Sequence, residues 1–239
     1  MINFGEKLQS VQEKIAAAAA RAGRDTGDIE LVAVSKTHPP ESVREVLEAG
    51  QTLFGESKVQ EARAKIPLLP GRARWHFIGH LQKNKIRHAL PLFELFHGVD
   101  SLALAQDIQR IADEAGQHPR VLLEVNVAGE STKFGFSPDM LLSALPELMA
   151  LDRLQIEGLM CIPPAGPDAE ASRPFFQRLR ALRDRLKSEC DVSFPRLSMG
   201  MSGDFEIAIE EGATLVRVGT AIFGPRSGKA FRAVRADLD

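Results

Sequence analysis

The chain has 239 residues, of which 44% are hydrophobic and 26% are charged, and its net charge at neutral pH is -2. This length suits one large domain with a sizeable core, and without a basic excess the composition disfavours binding to nucleic acid. The two cysteines, Cys161 and Cys190, are far apart and form no CxxC pair, which argues against a disulfide framework or a zinc ribbon.

The first 23 residues predict a soluble helix. Their alanine-rich centre, residues 15–20, is short, and charged residues such as Glu6 and Lys14 precede it. A segment of this kind is neither a signal peptide nor a membrane span. We therefore expect a cytoplasmic protein that does not associate with membranes.

Apolar, β-rich runs then recur along the chain, and each of the first seven is followed by a segment with helical periodicity. The runs cover residues 31–35, 52–55, 75–79, 95–99, 121–127, 154–162, 196–199 and 214–222. The helical segments include 41–49, 102–115, 140–151 and 173–187, the last with Phe176, Leu179, Leu182 and Leu186 on one stripe.

This alternation predicts an α/β fold, a single (β/α)8 TIM-type barrel with an extra N-terminal helix, and one domain over residues 1–239. An open, doubly wound sheet is the alternative. That fold would call for a glycine-rich fingerprint after the first strand, and the sequence Ser-Lys-Thr-His-Pro at residues 35–39 is not one.

Lys36 ends the first predicted strand, on the same face as Val32 and Val34. An ammonium group with an ordinary pKa of about 10.4 prefers water, yet this face would turn into the barrel. Either the strand end opens into a cleft, or the amine is used chemically. Taken alone, a lysine that reaches solvent at a strand end is the commoner case.

The predicted strands seven and eight end in residues suited to an anion. Strand seven runs into a glycine- and serine-rich turn that contains Ser202, and strand eight ends in Arg217, Gly219 and Thr220. Barrels of this type commonly bind phosphate with the loops after these two strands. Alternatively, Ser202 only caps a helix and Arg217 only pairs with a carboxylate.

An amine, a phosphate site and an arginine together suggest a cofactor that carries an aldehyde and a phosphate, and pyridoxal 5′-phosphate fits. Lys36 would form a Schiff base with the aldehyde. If Arg217, which can only donate hydrogen bonds, meets the pyridine nitrogen, that nitrogen must stay unprotonated. The ring would then be a poor electron sink, unlike that of transaminases, which place a carboxylate there.

Six segments in this order resemble the pyridoxal phosphate homeostasis protein family: residues 33–37, 54–61, 75–85, 157–160, 197–202 and 216–224. The resemblance implies a barrel like the N-terminal domain of alanine racemase, with the cofactor on Lys36, the ring nitrogen facing Arg217, and the phosphate held by Ser202, Gly219 and Thr220. It also implies a protein that holds and delivers the cofactor without an established reaction. The chain departs from the family at Ser57, His38 and His80, where asparagine, lysine and proline are usual.

The rival interpretation is a racemase-like enzyme on the same scaffold. Alanine racemases, by family resemblance, take a second base from a tyrosine in an additional domain, and this chain contains no tyrosine. We therefore expect no catalytic residue and at most a weak side activity.

A metal site is not expected, because His76 and His80 would lie about 13 Å apart along a strand at about 3.3 Å per residue. Lys133, in the loop after strand five, is either a relay amine for cofactor transfer or an exposed loop lysine. We expect a monomer that meets apo-enzymes dependent on pyridoxal phosphate only transiently.

Overall fold

A computed structural model describes residues 3–130 and 132–225 of the chain. Within these residues, parallel strands form one closed barrel in sequential order, and the first strand pairs with the eighth. The strands are β1 (Glu30–Val34), β2 (Leu53–Glu56), β3 (Arg74–Phe77), β4 (Leu95–Val99), β5 (Arg120–Glu124), β6 (Gln155–Met160), β7 (Arg196–Ser198) and β8 (Leu215–Val218). The expected domain, 1–239, also includes residues 1–2, 131 and 226–239, which lie outside the described part.

One α-helix precedes the barrel, and an α-helix follows every strand. The helices are α1 (Phe4–Arg21), α2 (Pro40–Glu48), α3 (Val59–Lys65), α4 (Ile86–Ala89), α5 (Leu102–Glu114), α6 (Pro138–Met149), α7 (Arg173–Cys190), α8 (Phe205–Glu210) and α9 (Thr220–Phe223). The predicted (β/α)8 barrel with an additional N-terminal helix is confirmed. Among the described helices, none combines the length and the low charge that crossing a bilayer requires.

The predicted eighth strand was wrong at its C-terminal end. The structure ends β8 at Val218, and Thr220 begins α9 instead of continuing the strand. Ile222 and Phe223 are buried in this helix. A short apolar run can be buried either as a strand or as a helix. The apolar pattern at the end of residues 214–222 therefore could not distinguish a strand from a helix.

The core has two layers, as the alternation of side chains along a strand requires. Inside the barrel lies a small layer made of one residue from each of six strands: Val32, Leu53, Leu95, Leu122, Met160 and Leu215. Neighbouring residues such as Ala33 and Phe54 point outward and pack under the helices. The stripe predicted on α7 is confirmed, because Phe176, Leu179, Leu182 and Leu186 are its buried residues.

Ion pairs surround the N-terminal end of the barrel. Arg196 on β7 reaches Glu30 at 2.6 Å and Glu157 at 2.9 Å, and Glu157 also pairs with Arg120. Arg74 continues the network from Glu30 to Glu94. In barrels of this type the N-terminal end serves stability, whereas function gathers at the opposite end.

Helix α1 covers one side of the barrel. Its buried face, which includes Phe4, Leu8 and Ile15, packs against α8 and α9. Asn3 caps the helix by accepting a hydrogen bond from the Glu6 backbone N–H at 3.2 Å. Burial of each large apolar side chain contributes about 1.5 to 3 kcal/mol, so this helix is an integral part of the fold.

Candidate functional site

Lys36 lies in the turn that follows β1, at the C-terminal end of the barrel, and its side chain is partly buried. The next residue, Thr37, has a φ of 70°, which a β-branched residue adopts only under constraint. Two hydrogen bonds supply that constraint. The Thr37 N–H donates to Glu61 Oε1 at 2.6 Å, and the Ser35 hydroxyl donates to Glu56 Oε1 at 2.7 Å. The turn is therefore held on both sides of Lys36.

Ser202 joins the loops that follow β7 and β8. Its hydroxyl oxygen accepts hydrogen bonds from the backbone N–H groups of Gly219 at 3.1 Å and Ala221 at 3.3 Å. The turn before it requires glycine, because Gly200 has a φ of 92° and a Cβ there would lie 2.6 Å from the Ala208 Cβ. Two backbone donors and one hydroxyl thus converge at the end of β8.

The start of α8 is not the source of the N–H groups that donate to Ser202. Asp204 occupies that position, and its Oδ1 accepts a hydrogen bond from the Met201 N–H at 2.6 Å. Its other oxygen accepts from the Ser172 hydroxyl at 2.9 Å. A carboxylate at the start of α8 disfavours a second anion there. The N–H groups that contact Ser202 come instead from Gly219, which precedes α9, and from Ala221 in the first turn of α9.

Gly219 brings this part of the site against the end of β1. A Cβ at Gly219 would lie 3.3 Å from the Val34 carbonyl oxygen, so the two strand ends approach closely. Thr220, the first residue of α9, is exposed. The structure therefore brings Ser202, Gly219 and Thr220 next to the strand that leads into Lys36.

Arg217 lies inside the barrel, where only 5% of its surface is exposed. On the neighbouring strand its register partner is Val32, which belongs to the inner layer of the core. Its guanidinium donates to the Ser198 hydroxyl at 2.5 Å and to the Cys161 carbonyl oxygen at 3.0 Å. Within residues 3–130 and 132–225, no carboxylate forms an ion pair with Arg217, so the proposed alternative of a simple ion pair does not hold there. Burial lowers its pKa from the ordinary value.

Two histidines extend this interaction across the barrel. His97 Nδ1 lies 2.8 Å from the Ser198 hydroxyl, and His97 Nε2 lies 3.0 Å from His76 Nδ1. Because arginine can only donate, Ser198 accepts from Arg217 and gives its own hydrogen to His97. His97 in turn donates to His76. Burial lowers the pKa of His76 to about 3 and that of His97 well below 6.5, so both rings are neutral.

Glu124, at the end of β5, is a partly buried carboxylic acid that sequence reasoning missed. Burial, and then the negative charge of Asp100, raise its pKa to about 7, although Arg217 and His80 act in the opposite direction. Such a group changes its charge near neutral pH. A single glutamate at a strand end carries no sequence signal of this behaviour, because the behaviour depends on neighbours from other strands.

The positions that depart from the family have contacts of their own. His80 Nδ1 lies 2.8 Å from Asp100 Oδ2, and its ring stacks on Phe134 with the ring centres 4.0 Å apart. His38 stacks on Phe223 with the ring centres 5.0 Å apart. The Ser57 backbone passes so close to Gly79 that a Cβ there would lie 2.3 Å from the Ser57 carbonyl oxygen.

Lys133, Cys161 and His76 each have contacts or burial that account for them as structural residues. Lys133 forms an ion pair with Glu130 at 2.7 Å and donates to the Pro163 carbonyl oxygen at 3.4 Å, which ties its loop to the one after β6. Cys161 is buried, and burial raises the pKa of its thiol to about 12. His76 pairs with His97 and not with His80. Among the described residues, no group of three possible ligands could hold a metal ion.

Comparisons with known proteins identify the family and the fold of the chain. Residues 7–227 match the family of the alanine racemase N-terminal domain. The pyridoxal phosphate homeostasis protein of Aquifex aeolicus is 45% identical over 226 residues, which cover 94% of this chain and 99% of that protein. The structure of PipY from Synechococcus elongatus with PLP bound is 39% identical, with a TM-score of 0.81, and covers 92% of this chain and 100% of that chain. An alanine racemase of Clostridium difficile, 17% identical, shares the fold with a TM-score of 0.74 over 96% of this chain and 59% of its own.

Proposed function

The chain belongs to the family of pyridoxal phosphate homeostasis proteins, and on that premise we propose that it binds pyridoxal 5′-phosphate at the mouth of the barrel. In this proposal the cofactor forms a Schiff base with Lys36, the protein holds and delivers it within the cytoplasm, and no dedicated turnover takes place. The Aquifex aeolicus relative is named for cofactor homeostasis and not for a reaction. PipY, which has a similar fold and 39% identity, binds PLP.

Arg217 is the observation that carries the proposal. It is a buried cation whose two hydrogen bonds go to neutral oxygens, and no carboxylate among the described residues pairs with it. A buried charge of this kind needs a further acceptor. An unprotonated pyridine nitrogen is such an acceptor, and the permanently protonated guanidinium favours that form of the ring. Arg217 lies on β8, and Lys36 follows β1, the strand that pairs with β8, so one ligand at this end of the barrel can contact both residues.

The phosphate would replace the contacts that now meet at Ser202. The N–H groups of Gly219 and Ala221, the Ser202 hydroxyl and the exposed Thr220 hydroxyl are the donors available there. Hydrogen bonds to a charged group contribute about 1.5 to 3 kcal/mol each. This region therefore suits an anion at one end of a ligand whose other end reaches Lys36.

The same residues argue against fast catalysis. When bound, pyridoxal phosphate supplies an aldehyde that condenses with amines and a ring that withdraws electrons. Arg217 keeps that ring unprotonated and weakly withdrawing. A fast racemase also needs a second acid–base group, and the chain has no tyrosine. Glu124, with a pKa raised to about 7, is the one observation that favours a racemase-like alternative, and we assign it at most a weak side activity.

Borohydride reduction tests the assignment of Lys36. We expect the purified protein to absorb visible light as a Schiff base, and peptide mapping after reduction should find the label on Lys36. Lys36→Ala should abolish the absorbance while the fold persists, because a residue in a turn at the barrel mouth contributes little to core packing. The matched control is Lys187→Ala, which removes an exposed lysine from α7. A label confined to other lysines would contradict the assignment.

A second experiment separates the carrier from the enzyme. The loaded protein is mixed with an apo-enzyme that depends on pyridoxal phosphate, and recovery of that enzyme's activity is followed in the presence of a trap for the free cofactor. We expect transfer, together with negligible turnover of alanine and serine. Fast, stereospecific racemisation that Lys36→Ala abolishes would favour the enzyme instead. Sedimentation analysis tests whether the protein acts as a monomer.

A further inference from the structure

Three charged side chains are buried together behind the turn that carries Lys36. Lys65, the last residue of α3, and Glu56, at the end of β2, are both 0% exposed, and the Glu61 side chain is 7% exposed. The Lys65 ammonium donates to Glu56 Oε1 at 2.6 Å and to Glu61 Oε1 at 2.8 Å. We call these three residues the Lys65 cluster.

The Lys65 cluster contacts the residues on both sides of Lys36. Before Lys36, the Ser35 carbonyl oxygen accepts from the Lys65 ammonium at 3.0 Å, and the Ser35 hydroxyl donates to Glu56 Oε1 at 2.7 Å. After Lys36, the Thr37 N–H donates to Glu61 Oε1 at 2.6 Å. The left-handed conformation of Thr37 is thus held by a short hydrogen bond to a charged oxygen.

Stability alone does not account for such a cluster. The free-energy cost of removing charged groups from water offsets most of the attraction between them. Well-packed apolar residues of similar volume can therefore often replace a buried ion pair without loss of stability. The longer helices on the barrel, such as α5 and α7, bury apolar side chains only. The Lys65 cluster instead fixes the conformation of the turn at residues 35–37, because hydrogen bonds are directional and apolar contacts are not.

We propose that the Lys65 cluster is a positioning device for Lys36, which holds residues 35–37 in one conformation so that the amine meets an incoming aldehyde in a single geometry. Glu61 and Lys65 are positioning residues in this view, since they act through Ser35 and Thr37. The inference rests on the proposed function, because it assumes that Lys36 carries the cofactor.

Glu56 takes part in the cluster through only one of its two carboxylate oxygens. Its Oε1 accepts from Ser35 and Lys65, whereas its buried Oε2 has no partner among the described residues. Burial raises the pKa of this carboxyl group, although the Lys65 ammonium and the Ser35 hydroxyl act in the opposite direction. The test therefore replaces all three residues of the cluster together.

The test measures how fast Lys36 reacts in the apo protein. Each variant is mixed with pyridoxal 5′-phosphate, quenched with borohydride at intervals, and mapped to find the labelled lysines. The triple variant Glu56→Leu, Glu61→Leu and Lys65→Met replaces the cluster with apolar residues. We expect its rate at Lys36 to fall at least tenfold, and label to spread to other lysines, although its melting temperature stays near that of the wild type.

Two controls separate an effect on the position of Lys36 from an effect on the stability of the fold. Glu45→Gln, which removes an exposed carboxylate from α2, should react within twofold of the wild type. Leu179→Ala, which opens a cavity under α7 away from the site, should lower the melting temperature and leave the rate at Lys36 unchanged. A triple variant that labels Lys36 at the wild-type rate overturns the proposal, whereas a wild type labelled elsewhere overturns the proposed function instead. If the triple variant does not fold, Glu61→Gln decides, because weakening its hydrogen bond to Thr37 must slow the labelling at least threefold.

Discussion

Glu124 should make the stability of the apo protein depend on pH, and Glu124→Gln should remove that dependence. Burial and the nearby Asp100 raise the pKa of this carboxyl group from its ordinary value of 4.5 to about 7. The folded protein therefore binds more protons than the unfolded chain between these two values. By linkage, the contribution of Glu124 to the free energy of unfolding falls as the pH rises from 4.5 to about 7, and above pH 7 this loss of stability is complete.

The magnitude follows from the two pKa values. Each pH unit between them corresponds to about 1.36 kcal/mol, so an ionised Glu124 destabilises the fold by about 3 kcal/mol above pH 7. At pH 5.5 only about 1.4 kcal/mol of this loss has developed. Because water reaches part of the side chain, these are upper values. Glutamine has nearly the same shape and no charge, so the free energy of unfolding of Glu124→Gln should exceed that of the wild type by these amounts.

Urea denaturation of both proteins at pH 5.5 and pH 8 measures the effect. The advantage of Glu124→Gln in the free energy of unfolding should grow by up to about 2 kcal/mol between the two conditions. Glu147→Gln, which removes an exposed carboxylate from α6, is the matched control and should show no such growth. An equal pH dependence in the wild type and in Glu124→Gln would refute the reasoning, because the carboxyl group would then titrate like one in water.

Three further predictions concern the ligand and the core. Pyridoxal phosphate at a hundredfold excess over its dissociation constant should raise the free energy of unfolding of the wild type by about 2.7 kcal/mol and raise its melting temperature. Ser202→Ala combined with Thr220→Val should reduce that rise in melting temperature. Equal stabilisation of the wild type by pyridoxal without phosphate would show that the anion site is misplaced. Arg217→Glu, which permits protonation of the ring, should raise the exchange of amino acid α-protons with deuterated solvent if the variant still retains the cofactor, and NMR measures this exchange. Leu179→Ala should lower the free energy of unfolding by about 2 to 5 kcal/mol in urea denaturation, and a loss below 1 kcal/mol would contradict the buried stripe on α7.

The sequence by itself determined the fold and the neighbourhood of the proposed site. Apolar, β-rich runs, the first seven of which are each followed by a segment with helical periodicity, are sufficient to predict a closed parallel barrel. In such a barrel the C-terminal ends of all strands meet on one face. Lys36, Ser202 and Arg217 could therefore be placed near one another from strand order alone, although they are far apart in the chain.

Only the tertiary structure decided which side chains interact. His76 and Ser198 are joined through His97, and Lys65 is buried between two glutamates, although nothing in the local sequence distinguishes these residues from ordinary ones. The end of β8 was likewise undetermined, because Ile222 and Phe223 are buried whether they continue a strand or begin a helix. Periodicity reports which face of an element is apolar. Hydrogen-bond partners and pKa values depend on neighbours contributed by several strands, and only the folded barrel brings those together.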